Sequence, residues 1–216
     1  MHRFFMIYTS AIFMSAMVFL SVAFLCLDEQ NIRLLGAENG AIENATAAGF
    51  ALVAAIAFIV ALKTRAEAWG LFSFFMALAC LREMDMHRAF TSDSFLKLRF
   101  YSGDVAPMGE KVAGSLVIVL IAACAYRLIR YHFKGWIADV LKFEETALAV
   151  FLAVGSLGFA KILDSLKRLA PSLKEFHQEN SYSMSLVEET FELAAVCMFL
   201  CVCLLWFKTN RSSHRE

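Results

Sequence analysis

The sequence predicts an all-α polytopic membrane protein, a transmembrane helix bundle of about six spans in a single integral membrane domain covering residues 1–216. Three observations carry this. Apolar residues make up 60% of the chain and the mean hydropathy is +0.62, against about 45–50% apolar in soluble domains. Charged residues are only 19%. The apolar residues gather into runs of about 20, the length a helix needs to cross a bilayer. Disorder is excluded, because it requires low hydrophobicity and high net charge. With 20 basic and 20 acidic residues the formal net charge is zero, so no bulk charge draws the chain to nucleic acid.

The spans follow in order. The first runs over residues 4–27 after a basic start at His2 and Arg3. Its apolar run is far longer than the 7–15 residues of a signal-peptide core, so it reads as a retained helix. The second covers 45–62 and the third 69–86. The fourth covers 112–131, the fifth 146–163 and the sixth 186–207. Six spans place both termini on one side. Lys and Arg divide evenly between the two sides, so the positive-inside rule gives no bias. Arg127 and Arg130 on a helix end, the basic tail after Phe207 and the acidic loop with Asp28, Glu29, Glu38 and Glu43 place the termini in the cytoplasm. Compact loops suit a bacterial plasma membrane.

Packing signals accompany the spans. Ala47, Ala51 and Ala55 recur every fourth residue, and Gly155 and Gly158 stand close together. Small residues let helices approach closely in lipid. Trp136, Ile137, Val140 and Leu141 predict a short interfacial lead-in helix. Residues 91–110 and 161–180 mix apolar and basic side chains and read as interfacial. The 21 phenylalanines read as lipid-facing bulk.

The informative residues are charges inside the spans. Each costs about 2.5–3.5 kcal/mol to insert, so such residues face a bundle interior or a cavity and are functional by default. The third span ends Leu81-Arg-Glu-Met-Asp-Met-His-Arg88, the fifth ends Lys161-Ile-Leu-Asp-Ser-Leu-Lys-Arg168, and the sixth begins Val187-Glu-Glu-Thr-Phe-Glu192. At about 1.5 Å per residue, Glu83, Lys161 and Glu192 all lie about 21–22 Å from the opposite edge. Alternation of the spans alone brings them to one depth, beside Glu43 at the start of the second span.

Continued helices would put Glu83 and His87 on one face, and Glu188, Glu189 and Glu192 within about 100°. Lys161, Asp164, Ser165 and Arg168 would form another stripe. Seven carboxylates (Glu43, Glu83, Asp85, Asp164, Glu188, Glu189, Glu192) face three bases (Arg82, Lys161, Arg168). Glu83 with Lys161, and Asp164 with Arg82, are the expected pairs. The excess acid calls for a cation, protons or a basic ligand.

Carboxylates with one imidazole suit a divalent metal that activates water. The expected catalytic residues are Glu83, His87 and Glu192. The expected metal ligands are Glu83, His87, Glu189 and Glu192, and Arg82, Lys161 and Arg168 are anion contacts. Asp85, Asp164, Glu188 and Glu43 rank second. The leading expectation is a metal-dependent enzyme acting on a lipid or lipid-linked substrate, with Lys97, Arg99, Lys167 or Arg168 near phosphate. The alternatives are a proton- or ion-coupled transporter of a small solute, for which Ser73, Ser115 and Thr146 offer a thin polar path, and a non-catalytic accessory protein. Purely structural pairing of the charges competes with all three. Membrane lipids are the expected partners in each case.

Other chemistries are not supported. There is no Gly-x-Ser-x-Gly elbow, Walker loop or His-Glu-x-x-His. His2, His132, His177 and His214 fall outside the expected span interiors. The six cysteines sit mostly in apolar runs and read as small hydrophobes, with a Cys26–Cys80 disulfide left open.

Overall fold

The computed structural model describes residues 2–37, 40–86, 92–95, 97–102, 106–169 and 181–213. Among them every regular element is a helix. In chain order these are α1 (His2–Cys26), α2 (Glu29–Leu35), α3 (Ala41–Thr64), α4 (Glu67–Glu83), α5 (Leu98–Ser102), α6 (Met108–Arg127), a π-helical turn (Leu128–Phe133), α7 (Lys134–Leu141), α8 (Glu145–Leu169) and α9 (Ser181–Ser213). A bilayer leaves backbone groups no water to bond, and a helix satisfies them internally.

Five segments are long and apolar enough to span: Ile7–Cys26, Ala41–Thr64, Met108–Leu141, Glu145–Leu163 and Tyr182–Phe207. They coincide with five of the six expected spans, which makes the chain a multi-pass membrane protein. The expected third span is α4. Its 17 residues stop at Glu83, three short of the expected end, where Met84 closes the helix and Asp85 turns to φ 50°.

Elements begin and end where local chemistry dictates. Asp28 caps α2, its carboxylate accepting from the Asn31 amide at 3.0 Å, the N-cap arrangement that fills an orphan donor. Helix α3 ends at Thr64; the Arg65 amide makes the last helical bond, to the Ala61 carbonyl, and Arg65 then turns left-handed at φ 55°. Only Arg65 and Ala66 separate α3 from α4, so the two pack as an antiparallel hairpin.

Helix α9 is the hub, packing on α8, α3, α1 and α2. Phe50, Val53, Ala54, Met76, Ala153, Val196 and Phe199 form the main core. In lipid such a core is held by close packing and hydrogen bonds, because hydrocarbon is as apolar as the side chains it replaces. Ser73 supplies one bond, its hydroxyl donating to the Ala54 carbonyl at 2.8 Å across the hairpin.

A second cluster of Leu20, Ala23, Ile42 and Leu186 joins α1, α3 and α9. There Gly36 sits against the α9 backbone. A Cβ on it would stand 3.0 Å from the Leu186 nitrogen, and its carbonyl accepts from the Ser185 hydroxyl at 2.7 Å.

The small-residue expectations are corrected. Ala51 and Ala55 are exposed. The packed face of α3 is Thr46, Ala47, Phe50, Val53, Ala54, Ala57 and Val60, the three-and-four spacing of a helix stripe. A Cβ at Gly155 or Gly158 meets no described atom within 4 Å. The close approach falls instead at Gly49, where a Cβ would overlap Cγ1 of Val196. Phe50, Phe100 and Phe199 are fully buried, so phenylalanine is core as well as lipid-facing bulk.

The lead-in helix forms as α7, and Trp136 Nε1 donates to the Ala147 carbonyl at 3.3 Å. The described residues of the 91–110 segment bond to one another. Phe100 is buried, Tyr101 donates to the Phe95 carbonyl at 2.7 Å, and Asp93 holds Arg99 and Lys97. Lys97 and Arg99, expected beside phosphate, are therefore occupied by Asp93. The Arg99 guanidinium and the Ser94 amide hold the Asp93 carboxyl down at about 2. The expected interfacial stretch at 161–180 lies mostly outside the described residues.

Candidate functional site: a buried carboxylate cluster

Three helices bring charge to one end of the bundle. Helix α4 contributes Arg82 and Glu83 in its last turn, α8 contributes Lys161, and α9 contributes Glu188, Glu189 and Glu192. They meet because α8 and α9 pack along their length and α4 lies against the same core.

Glu192 is the centre of the cluster, 3% exposed. Its Oε1 lies 3.4 Å from an Arg82 nitrogen and 4.0 Å from Lys161 Nζ. The same Arg82 nitrogen is 3.4 Å from Glu83 Oε1. Glu83 and Glu192 are thus joined through the same Arg82 nitrogen. Lys161 Nζ donates to Glu188 Oε1 at 3.3 Å. Glu189 Oε2 is buried with no hydrogen-bond partner among the described residues.

The two cations are half-exposed while the carboxylates they hold are nearly buried: Arg82 is 45% exposed against 8% for Glu83. Among the described side chains, Glu83, Glu188, Glu189 and Glu192 stand against Arg82 and Lys161, so acid is in excess and calls for protons or a cationic group. Burying the excess unpaired would be costly.

Glu83 pairs here with Arg82, and the suggested Asp164–Arg82 pair falls outside the described side chains. Arg82 bridges Glu83 and Glu192, and Lys161 bridges Glu188 and Glu192. Glu83 is linked to Glu192 through Arg82, and Lys161 reaches Glu192 directly. The side chains of Asp164 and Arg168 lie outside the described residues, as does His87.

The face shared by Glu83 and His87 requires a continuous helix, but α4 stops at Glu83 and Asp85 is left-handed. A helix dipole does little for Glu188 to Glu192, because they do not start a helix. Helix α9 is already formed at Ser181, about 10 Å earlier, and the dipole effect fades within the first turn.

Asp85 is exposed at that turn, and Glu43 lies in the first turn of α3 on the Glu189 side. Among the described residues no three His, Cys, Asp or Glu side chains are arranged to hold a metal ion.

Sequence reasoning missed Thr46, fully buried with its hydroxyl unpartnered among the described residues. It also placed His132 away from the interior. A single Thr in an alanine run and a His in a basic helix end carry no signal of burial, so neither was legible. The chain matches no protein-family model, no curated protein and no solved structure.

Proposed function

We propose that the chain is a six-span plasma-membrane protein with both termini in the cytoplasm, and that it acts as an enzyme on a lipid or lipid-linked substrate at the carboxylate cluster. The observation that supports this reading is the four-carboxyl, two-cation cluster around the buried Glu192; the proposal counts α4 as the sixth span and sets the cluster in the outer leaflet. Arg82 and Lys161 are half-exposed, so a substrate arriving through the bilayer reaches cations before carboxylates. An anionic linkage would displace part of their pairing. It would also leave Glu83 and Glu192 placed for proton transfer, the work paired carboxyl groups do best in a water-poor site.

Glu83, Glu189 and Glu192 supply hard oxygen donors of the kind a divalent ion takes, and metal dependence belongs to the proposal. The transporter alternative needs a polar path through the other half of the bundle. Ser73 is spent on the Ala54 carbonyl, and the exposed Ser115 bonds within its own helix to Lys111. That favours the enzyme over the transporter.

The test uses purified full chain in nanodiscs with total bacterial lipid extract. Lipid mass spectrometry before and after incubation is compared with Glu192→Gln, and metal is measured in both proteins. A lipid species consumed by the wild type and spared by the variant is the expected result. Identical lipid profiles across several divalent ions would overturn the reading.

A further inference from the structure

A second site lies at the opposite end of the bundle. Between α4, the π-helical turn, α8 and α9 is a cavity of about 500 Å³, open on one side. That size falls within the roughly 300–1,000 Å³ of small-molecule sites. It is well above the roughly 150 Å³ apolar void that stays empty of water and takes up benzene.

Its walls are apolar and partly aromatic, with Trp69, Phe72, Phe133, Trp136 and Phe199 among the lining residues. Four of the six residues of the π turn line it, His132 among them. Single π turns in α-helices occur frequently at functional sites, because the wider turn re-aims side chains. His132 Nε2 is buried with no hydrogen-bond partner among the described residues. Native proteins rarely leave such an atom unmet.

We propose that this cavity binds the ring of a membrane quinone. Each feature selects one part of that molecule. The planar ring stacks against the aromatic walls. Its neutral carbonyl accepts from His132 Nε2–H after a turn of the imidazole toward the cavity, since that nitrogen is buried as it stands. Its hydrocarbon chain leaves through the open side into lipid. A phospholipid headgroup is charged and bulky, and among the described residues no Lys or Arg lines the cavity. A linear polyprenol would fill the volume but leave the ring-shaped aromatic surface without a counterpart. The inference is independent of the carboxylate cluster.

The experiment titrates detergent-purified full chain with decylubiquinone and follows tryptophan fluorescence. Trp69 and Trp136 are two of the three tryptophans, so a bound quinone quenches most of the signal. Saturable quenching is expected. His132→Gln, which keeps a hydrogen-bonding group, should hold the midpoint within about twofold. His132→Phe should raise it about three- to tenfold, the loss of one neutral hydrogen bond. Val150→Trp, which fills the cavity, should abolish saturation while the elution volume on size exclusion stays unchanged. Farnesol should fail to compete. Linear quenching that never saturates, equal midpoints for Gln and Phe at 132, or full competition by farnesol would each overturn the proposal.

Discussion

Replacing Gly49 with alanine tests the helix packing that brings the carboxylates together. The added methyl would overlap Cγ1 of Val196. Val196 is 1% exposed and β-branched, and a helical valine holds one χ1 rotamer about nine times in ten. The methyl therefore has nowhere to turn. Phe50 and Val53, each at most 1% exposed, pin α3 on the same face, so α3 must shift or absorb strain. Overpacking of this kind costs about 1–3 kcal/mol.

Alanine also gains up to about 1 kcal/mol of helix propensity over glycine. The exposed Gly155 isolates that gain, since a Cβ there meets no described atom within 4 Å. The difference between Gly49→Ala and Gly155→Ala is thus the packing cost, about 1–3 kcal/mol. It is measured by reversible unfolding in mixed detergent micelles. Adding Val196→Ala removes the methyl that collides, so the Gly49–Val196 double-mutant cycle should return a favourable coupling of similar size. The reasoning is refuted if Gly49→Ala is as stable as Gly155→Ala, or if the cycle shows no coupling.

Four further outcomes are expected. Ser73→Ala should destabilise by about 0.6 kcal/mol and at most about 1.7, the range for hydrogen bonds between membrane helices, read in the same unfolding assay. Arg82→Ala removes the cation shared by Glu83 and Glu192 and should cost about 1–3 kcal/mol, less than a fully buried pair because Arg82 is half-exposed; Lys161→Ala should cost less, and the reverse order would contradict the arrangement described. Arg65→Gly relieves a left-handed residue at the end of α3 and should stabilise by about 1 kcal/mol, seen as a higher unfolding midpoint. Asp93 is held below the ordinary value of 3.8, at about 2. Its pairing with Arg99 is thus complete above about pH 4 and lost as the pH falls through 2. Carbon-detected NMR of the Asp93 carboxyl should titrate near 2, and a midpoint near 3.8 would show the pair is not formed.

The helical membrane architecture was legible because it follows from the solvent. Lipid requires runs of about 20 apolar residues and internally satisfied backbones, and five such segments stand where the hydropathy puts them. The common depth of Glu83, Lys161 and Glu192 was legible for a similar reason, since depth is residue count multiplied by helical rise.

Azimuth and partner choice were not legible. A sequence places Lys161 at a level, but the rotation of α8 against α9 decides that it bonds Glu188. Likewise the end of α4 at Glu83 breaks the continuous helix on which a shared Glu83–His87 face was counted. Alanine spacing pointed to Ala51 and Ala55, while the structure buried Ala54 and Ala57. In lipid both faces of a helix are apolar, so hydrophobic pattern does not say which face meets protein. That choice is made by shape, as where Gly49 leaves room for Val196 or a π turn opens space beside His132. Composition and periodicity therefore determined that this chain is a helical membrane protein and at what depth its charges lie. Only the packing of the helices decided which of those charges meet.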